Sequence, residues 1–148
     1  MHPATRVDFY ILAADGPASR LQFACRLTEK AYGLNNRVYA HVASQAEAEQ
    51  LDKLLWTFKQ GSFVPHQALG DGDEAADERT PVRIGTPERW ENEGELLINL
   101  TDAAPEFATN FSRVVEIVDG QEASREAGRR RFRQYREMGL EPVTHQID

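Results

Sequence analysis

Hydrophobic and polar residues follow two different periods along the chain. Alternation or short apolar runs, typical of β-strands, mark five segments, at residues 5–12, 38–42, 82–84, 95–100 and 114–118. Apolar residues spaced by three and four predict helices at 18–32, 45–58 and 121–138. Ser44 and Glu47 have the spacing of a capping box before the second helix, and Gly139 is placed to end the third.

The order of these elements predicts the fold class. Strands alternate with helices over most of the length, and the strands are mostly apolar, as in sheets that are buried on both faces. We therefore predict a three-layer α/β fold, with a mostly parallel five-stranded sheet and helices on both faces. The connection between residues 84 and 95 is too short for a packed helix. Residues 1–148 are expected to form one domain, with a mobile acidic loop at 70–79.

Composition and charge narrow the class of protein. The chain has 148 residues, of which 41% are hydrophobic and 28% charged, and its net charge is −7. Such a charge argues against bulk attraction to nucleic acid or to an anionic membrane. The longest apolar run, 9–14, is far shorter than the roughly 18 residues of a membrane-spanning helix. We expect a cytoplasmic, soluble protein that does not contact a membrane.

Residues suited to catalysis or metal binding are not arranged in any recognisable motif. The chain has no glycine-rich phosphate-binding motif, no serine nucleophile elbow and no histidines paired at helical spacing. Its only cysteine, Cys25, lies on the apolar face of a predicted helix, and His41 lies in an apolar strand. We therefore expect no catalytic residues, no metal and no cofactor. An enzyme with a degenerate nucleotide site is a weaker alternative, favoured only by the α/β pattern.

The last predicted helix is rich in arginine. Six of the twelve residues from 125 to 136 are arginines. At about 100° per residue, four of them fall within roughly 80° of one another. This arginine row consists of Arg125, Arg129, Arg133 and Arg136. Phe132 projects from its middle, and Arg130 and Arg131 are expected on the far side of the helix.

The arginine row has two interpretations from the residues alone. It could be a solvated helix face, with cations favoured near the helix C-terminus. It could instead be a binding site, because guanidinium groups pair with carboxylates or phosphates and an aromatic side chain among them can hold an apolar anchor. The ligand would then be an acidic peptide with a large apolar side chain, or a nucleic acid.

A second surface combines a helix end with a following extended segment. Leu51, Leu55 and Phe58 form a core-facing side, and Trp56 points about 100° away from Leu55. The segment 63–65, Phe-Val-Pro, is extended because a residue before proline avoids the helical region. These aromatic residues are either the rim of the core or a protein contact surface.

In these segments the chain resembles the chi subunit family of bacterial DNA polymerase III. The matching features are the segments 7–12, 96–100 and 111–118, the pair Leu51-Asp52-x-x-Leu55-Trp56 and Ser62-Phe63-Val64-Pro65-His66, and Arg129-x-Arg131-Phe132-Arg133-x-Tyr135-Arg136-x-x-Gly139. The resemblance covers essentially the whole chain, and the second of these features is the most specific. The acidic loop at 70–79 and residues 140–148 match least well.

The resemblance implies a non-catalytic accessory subunit of the DNA polymerase III holoenzyme, associated with its clamp loader. Such a subunit binds the acidic, phenylalanine-ending C-terminal tail of single-stranded DNA-binding protein. Its association with single-stranded DNA is indirect and is mediated by that protein. By matched position, the tail-binding residues would be Val118, Arg125, Arg129, Phe132 and Arg136. The family can have lysine at position 125 and tyrosine at position 132, so a hydrogen bond from a hydroxyl is missing at Phe132.

The resemblance also assigns a partner to the second surface. Trp56, Phe63, Val64 and Pro65 would bind the psi subunit of the clamp loader or, alternatively, an iron–sulfur helicase. Direct binding of single-stranded nucleic acid by the arginine-rich helix is the alternative to the tail-binding function.

Overall fold

The structure, a computed structural model, describes residues 5–57, 65–68, 81–87 and 94–147. In these ranges the chain forms β1 (Arg6–Leu12), α1 (Pro17–Gly33), β2 (Val38–His41), α2 (Gln45–Thr57), β3 (His66–Ala68), β4 (Val82–Gly85), β5 (Gly94–Asn99), the 3₁₀-helix η1 (Glu106–Asn110), β6 (Phe111–Val118), α3 (Glu122–Glu137) and β7 (Val143–Ile147). The predicted acidic loop at 70–79, together with Phe58, Phe63 and Val64, lies outside the described residues.

The strands form one sheet in the order β3-β4-β2-β5-β6-β1-β7. Every strand pair within the described residues is parallel. In the register of the central pairs, Val7 lies beside Val114 and Ala40 beside Ile98. The predicted α/β class with a parallel sheet is therefore confirmed, although the described residues form seven strands and not the predicted five.

Helices cover both faces of the sheet, as the apolar strands require. α1 and α2 pack on one face over a core that includes Leu12, Cys25, Leu51 and Ile117. α3 and η1 pack on the other face over Phe9, Leu97, Val114 and Tyr135. Burial raises the pKa of the Cys25 thiol to about 12, so this cysteine is an unreactive core residue, as predicted.

Two short strands are present that the residue pattern did not predict. β3 has three residues and follows Pro65. β7 alternates polar side chains with only two large apolar ones, and it is held by a buried carboxylate on β1. His145 Nε2 lies 2.8 Å from Asp8 Oδ1, and Arg113 Nε donates to Asp8 Oδ2 at 2.9 Å. Backbone pairing with β1 and these polar contacts, both between residues far apart in the chain, place β7 at the sheet edge.

The predicted helix ends are confirmed by their hydrogen bonds and dihedral angles. The Glu47 N–H donates to Ser44 Oγ at 3.2 Å, which is the N-cap bond of a capping box. The Glu47 carboxylate accepts at 2.9 Å from the N–H of Ala43, one residue before the cap, and not from that of Ser44. Gly139 follows α3 with φ of 86°, a left-handed conformation that favours glycine. Among the helices that the structure describes, none combines the length and apolar character needed to cross a bilayer.

Candidate functional site

The rotation of α3 on the sheet decides which arginines reach the surface. Gly128, Arg131 and Tyr135 are the buried residues of this helix, at the three- and four-residue spacing of a core-facing stripe. Arg131, expected on the far side of the helix, is instead in the interior, where only 2% of its side chain is exposed. The prediction was wrong because an arginine can be buried where another element supplies a partner for its charge, and helical spacing alone does not show that partner.

That partner is Glu116, which is on the facing strand β6. Arg131 Nε donates to Glu116 Oε1 at 2.7 Å, Asn99 Nδ2 donates to Glu116 Oε2 at 2.6 Å, and the Tyr135 hydroxyl donates to the same oxygen. Burial raises the pKa of Glu116, while the charge of Arg131 and these hydrogen bonds act in the opposite direction. The network fixes α3 to the sheet by its inner side.

A glycine brings α3 unusually close to the sheet. A Cβ added at Gly128 would lie 2.7 Å from Val118 Cγ2, closer than carbon atoms can approach. One helical turn further on, the ring of Phe132 packs against Phe9 with centroids 5.3 Å apart. The missing side chain at Gly128 and the tilted ring of Phe132 leave an apolar depression between the helix and the sheet.

This depression is a pocket of about 250 Å³, which we call the α3 pocket. It is lined by Phe9, Ile11, Val118, Arg125, Gly128, Arg129, Phe132, Thr144 and Gln146. Four of the five residues proposed for tail binding thus share one cavity. The fifth, Arg136, does not line it, although its helical position places it on the same side of α3.

The arginine row is exposed to solvent. Arg125, Arg129, Arg133 and Arg136 are all exposed, whereas Phe132 is half-buried. Arg129 Nη2 lies 3.3 Å from Glu122 Oε1 in an exposed ion pair, and Arg125 has no ion-pair partner among residues 5–57, 65–68, 81–87 and 94–147. Exposed pairs contribute little to stability. The guanidinium groups beside the pocket are therefore available to a ligand.

Chemically, the α3 pocket joins an apolar floor to a cationic rim. Phe9, Ile11 and Val118 supply the floor, and Arg125 and Arg129 supply the charge. An aromatic side chain can bury its ring in such a depression while carboxylates beside it pair with the guanidinium groups. A uniformly charged ligand would use only the rim.

Some residues of the pocket were not found from the sequence. Thr144 and Gln146 belong to β7, which the residue pattern did not predict, and they form the wall opposite α3. The alternation of Val143, His145 and Ile147 with these two residues is a strand pattern, but it covers only five residues. Whether this segment joins the sheet depends on its contact with the buried Asp8, which lies far away in the chain.

The second predicted surface is described only in part. Trp56, in the last turn of α2, is 49% exposed, and its ring centroid lies 4.5 Å from that of His66. His66 Nε2 lies 3.0 Å from Asp52 Oδ1, which connects β3 to the same helix. Pro65 is half-buried, and Phe63 and Val64 lie outside the described residues. Whether this surface binds a partner stays a prediction.

A larger cavity, about 710 Å³, lies at the carboxyl ends of β2 and β5. Doubly wound sheets often bind nucleotides at such a position. Here the lining includes His41, Asp102, Glu106 and Phe107, and none of the described lining residues is lysine or arginine. Burial lowers the pKa of His41 to about 4, so its ring is neutral. This acidic lining does not favour a phosphate-bearing nucleotide.

Comparison with known proteins gives the family. Residues 4–143 match the family model described as "DNA polymerase III chi subunit, HolC". The chain is 45% identical to DNA polymerase III subunit chi of Pseudomonas aeruginosa, over 97% of both chains. It is 30% identical to the Escherichia coli subunit chi, over 89% of this chain and 91% of that one.

Among solved structures, the chain matches one in a Saccharomyces cerevisiae Dbp5 complex with a TM-score of 0.65 and 14% identity. The match covers 95% of this chain and 42% of that chain, and it shows a shared fold alone. The family model and the relatives cover nearly the whole length of the chain. This protein therefore belongs to the DNA polymerase III chi subunit family, whose members are accessory subunits in DNA replication.

Proposed function

We propose that this chain is an adaptor that binds the acidic C-terminal tail of single-stranded DNA-binding protein and links it to the clamp loader. The observation that carries the proposal is the α3 pocket, in which an apolar floor lies directly beside Arg125 and Arg129. The terminal phenylalanine of the tail would occupy the floor, against Val118 and Phe132. The carboxylates of the tail would pair with the guanidinium groups of Arg125, Arg129 and Arg136.

The dimensions of the site suit a short extended peptide. The pocket, about 250 Å³, is close to the size of one aromatic side chain with its backbone, and not to that of a base-paired nucleic acid. Along α3, Arg125 and Arg136 are eleven positions apart, a rise of about 16 Å. That length matches about five residues of extended chain.

The second partner surface would lie at the far end of the sheet. Trp56 contacts His66 on β3, whereas the α3 pocket includes residues of β7, and these two strands are the opposite edges of the sheet. Seven strands spaced by about 4.8 Å separate the two edges by roughly 29 Å. The predicted partner surface, of which Trp56 and Pro65 are described, could therefore hold the psi subunit, or an iron–sulfur helicase, while the tail is bound. In this role the chain acts in the cytoplasm and supplies no catalytic group.

The proposal is tested by titrating the purified protein with a synthetic acidic peptide that ends in phenylalanine. We expect binding that weakens severely when the terminal phenylalanine is removed and that weakens only in part at high salt, because much of the contact is apolar. Equal binding of the intact and truncated peptides would contradict the proposed use of the pocket.

A single-stranded oligonucleotide, titrated without any peptide, tests the alternative of direct nucleic-acid binding. That function would give oligonucleotide affinity with a steep salt dependence, set by the number of phosphates contacted. The acidic charge of the whole chain, −7, favours little oligonucleotide binding.

The contribution of the arginine row is measured with a matched pair of variants. Arg129→Ala removes a guanidinium at the pocket and should weaken peptide binding by about 1.5–3 kcal/mol, the scale of a hydrogen bond to a charged group. Arg130→Ala removes the same charge from an exposed position outside the pocket lining and should have a much smaller effect. Equal losses would indicate a general charge effect and not a specific site.

A further inference from the structure

β7 has an edge that no other described strand covers. It pairs with β1 on one side and ends the strand order on the other. The Ala13 N–H donates to the Ile147 carbonyl oxygen at 3.0 Å, so the backbone groups of Ile147 point toward β1. Because these groups alternate along a strand, those of Thr144 and Gln146 point to the outer edge.

The same two residues line the α3 pocket. The side chains of a strand alternate between the two faces, and those of Thr144 and Gln146 lie on the α3 face. The outward backbone groups and the pocket wall therefore belong to the same pair of residues. A peptide whose end occupies the pocket and that leaves it along β7 would meet, at alternate positions, N–H and C=O groups that no described strand pairs.

From this geometry we infer that the acidic tail binds as an added strand along the outer edge of β7, with its aromatic end in the α3 pocket. This inference rests on the proposed function and adds the mode of binding. Addition of a peptide strand to an exposed sheet edge is a general recognition mode, in which backbone hydrogen bonds give affinity and pockets give specificity. Arg125 and Arg129 line the same pocket as Thr144 and Gln146 and supply the matching charge for the carboxylates of the tail.

The polarity of the added strand also follows from the positions of the binding groups. Val118 ends β6, and Arg125 is in the second turn of α3, so both lie toward the carboxyl ends of the strands. Arg136 is in the last turn of α3, toward the opposite end of the sheet. A tail that ends near Arg125 and passes Arg136 earlier in its sequence therefore runs parallel to β7.

Backbone methylation of the peptide tests the inference without changing the protein. In an added strand, every second N–H of the peptide donates to β7 and the others point away. A set of acidic, phenylalanine-ending peptides, each carrying one N-methyl group, should lose about tenfold in affinity at alternate positions and little at those between. Uniform effects, or no effect at any position, would overturn the inference. If the unmodified peptide does not bind, the proposed function itself fails.

Two substitutions at one residue give the matching test on the protein. Gln146→Pro removes the outward N–H, and proline is tolerated on an edge strand whose N–H faces solvent. Gln146→Ala keeps that N–H and removes the side chain. We expect Gln146→Pro to bind the peptide about tenfold more weakly than Gln146→Ala, with thermal unfolding showing that both are folded. Equal affinities of the two folded variants would overturn the inference, and if Gln146→Pro does not fold, the methylated peptides decide.

Discussion

Arg131 on α3 and Glu116 on β6 form an ion pair in the interior, with 2% and 0% of their side chains exposed. A pair at this depth must overcome the loss of hydration of both charges. Here Tyr135 and Asn99 donate hydrogen bonds to the Glu116 oxygen that Arg131 does not contact, so neither carboxylate oxygen is left without a donor. The pair therefore fixes the position of the helix that carries the arginine row.

Removal of one partner should be strongly destabilising. We expect Arg131→Ala to lower the free energy of unfolding by about 3–5 kcal/mol, because Glu116 would remain buried without its counter-charge. Arg130→Ala, one residue earlier and exposed, should change it by less than about 0.5 kcal/mol. Urea denaturation of the three proteins measures both values. Equal stability of the two variants would contradict the structural role of Arg131.

The ion pair of Arg129 with Glu122 should compete with an acidic ligand. Glu122→Gln frees the Arg129 guanidinium and removes a negative charge near the pocket, so peptide affinity should rise by up to about fivefold, the scale of an exposed pair. Glu137→Gln changes the net charge equally at the other end of α3 and should have less effect. Fluorescence anisotropy of a labelled acidic peptide compares them, and a loss of affinity in Glu122→Gln would argue against competition.

Because Trp56 is exposed, its substitution can test partner binding without a large effect on the stability of the fold. Because about half of its side chain is already exposed, Trp56→Ala should leave the domain folded and should not change tail-peptide affinity. It should reduce copurification of a second protein from cell extract, relative to the neighbouring exposed control Thr57→Ala. If Trp56→Ala unfolds the domain at ordinary temperature, this surface is the rim of the core and the proposal of a contact surface fails.

The buried His41 should make stability depend on pH. Burial lowers its pKa from 6.5 to about 4, so the unfolded chain binds the proton more readily. The stabilisation from the neutral ring is complete above pH 6.5 and is lost as the pH falls, by about 2 kcal/mol at pH 5. Thermal unfolding of wild type and His41→Gln at pH 7 and pH 5 measures this difference. Parallel losses in both proteins would show that His41 does not titrate on unfolding.

Local patterns were enough to predict most of the fold. The apolar strands, the three helices and the ends at Ser44 and Gly139 each follow from nearby residues, and the structure has them. The edge strands do not follow in this way. β3 has only three residues, and β7 depends on contacts of His145 with Asp8, which is separated from it by most of the chain.

The candidate site was predictable on its charged side and not on its other wall. Helical spacing alone brought Arg125, Arg129 and Phe132 together, and these residues share one pocket. The same spacing could not tell that Arg131 is buried, because that depends on a carboxylate of a distant strand. Thr144 and Gln146 carry no charge or aromatic group, so nothing in their chemistry marked them as part of a site.

The interior anchor of α3 restricts the length of this helix as well as its composition. Each inserted or deleted residue turns the following part of a helix by about 100°. A change of one residue between Gly128 and Arg131 would present a different side chain to Glu116 and would rotate Phe132 and Arg136 away from the residues before them. Related chains should therefore exchange lysine for arginine on the outer side of this helix, while insertions and deletions accumulate only in the loops.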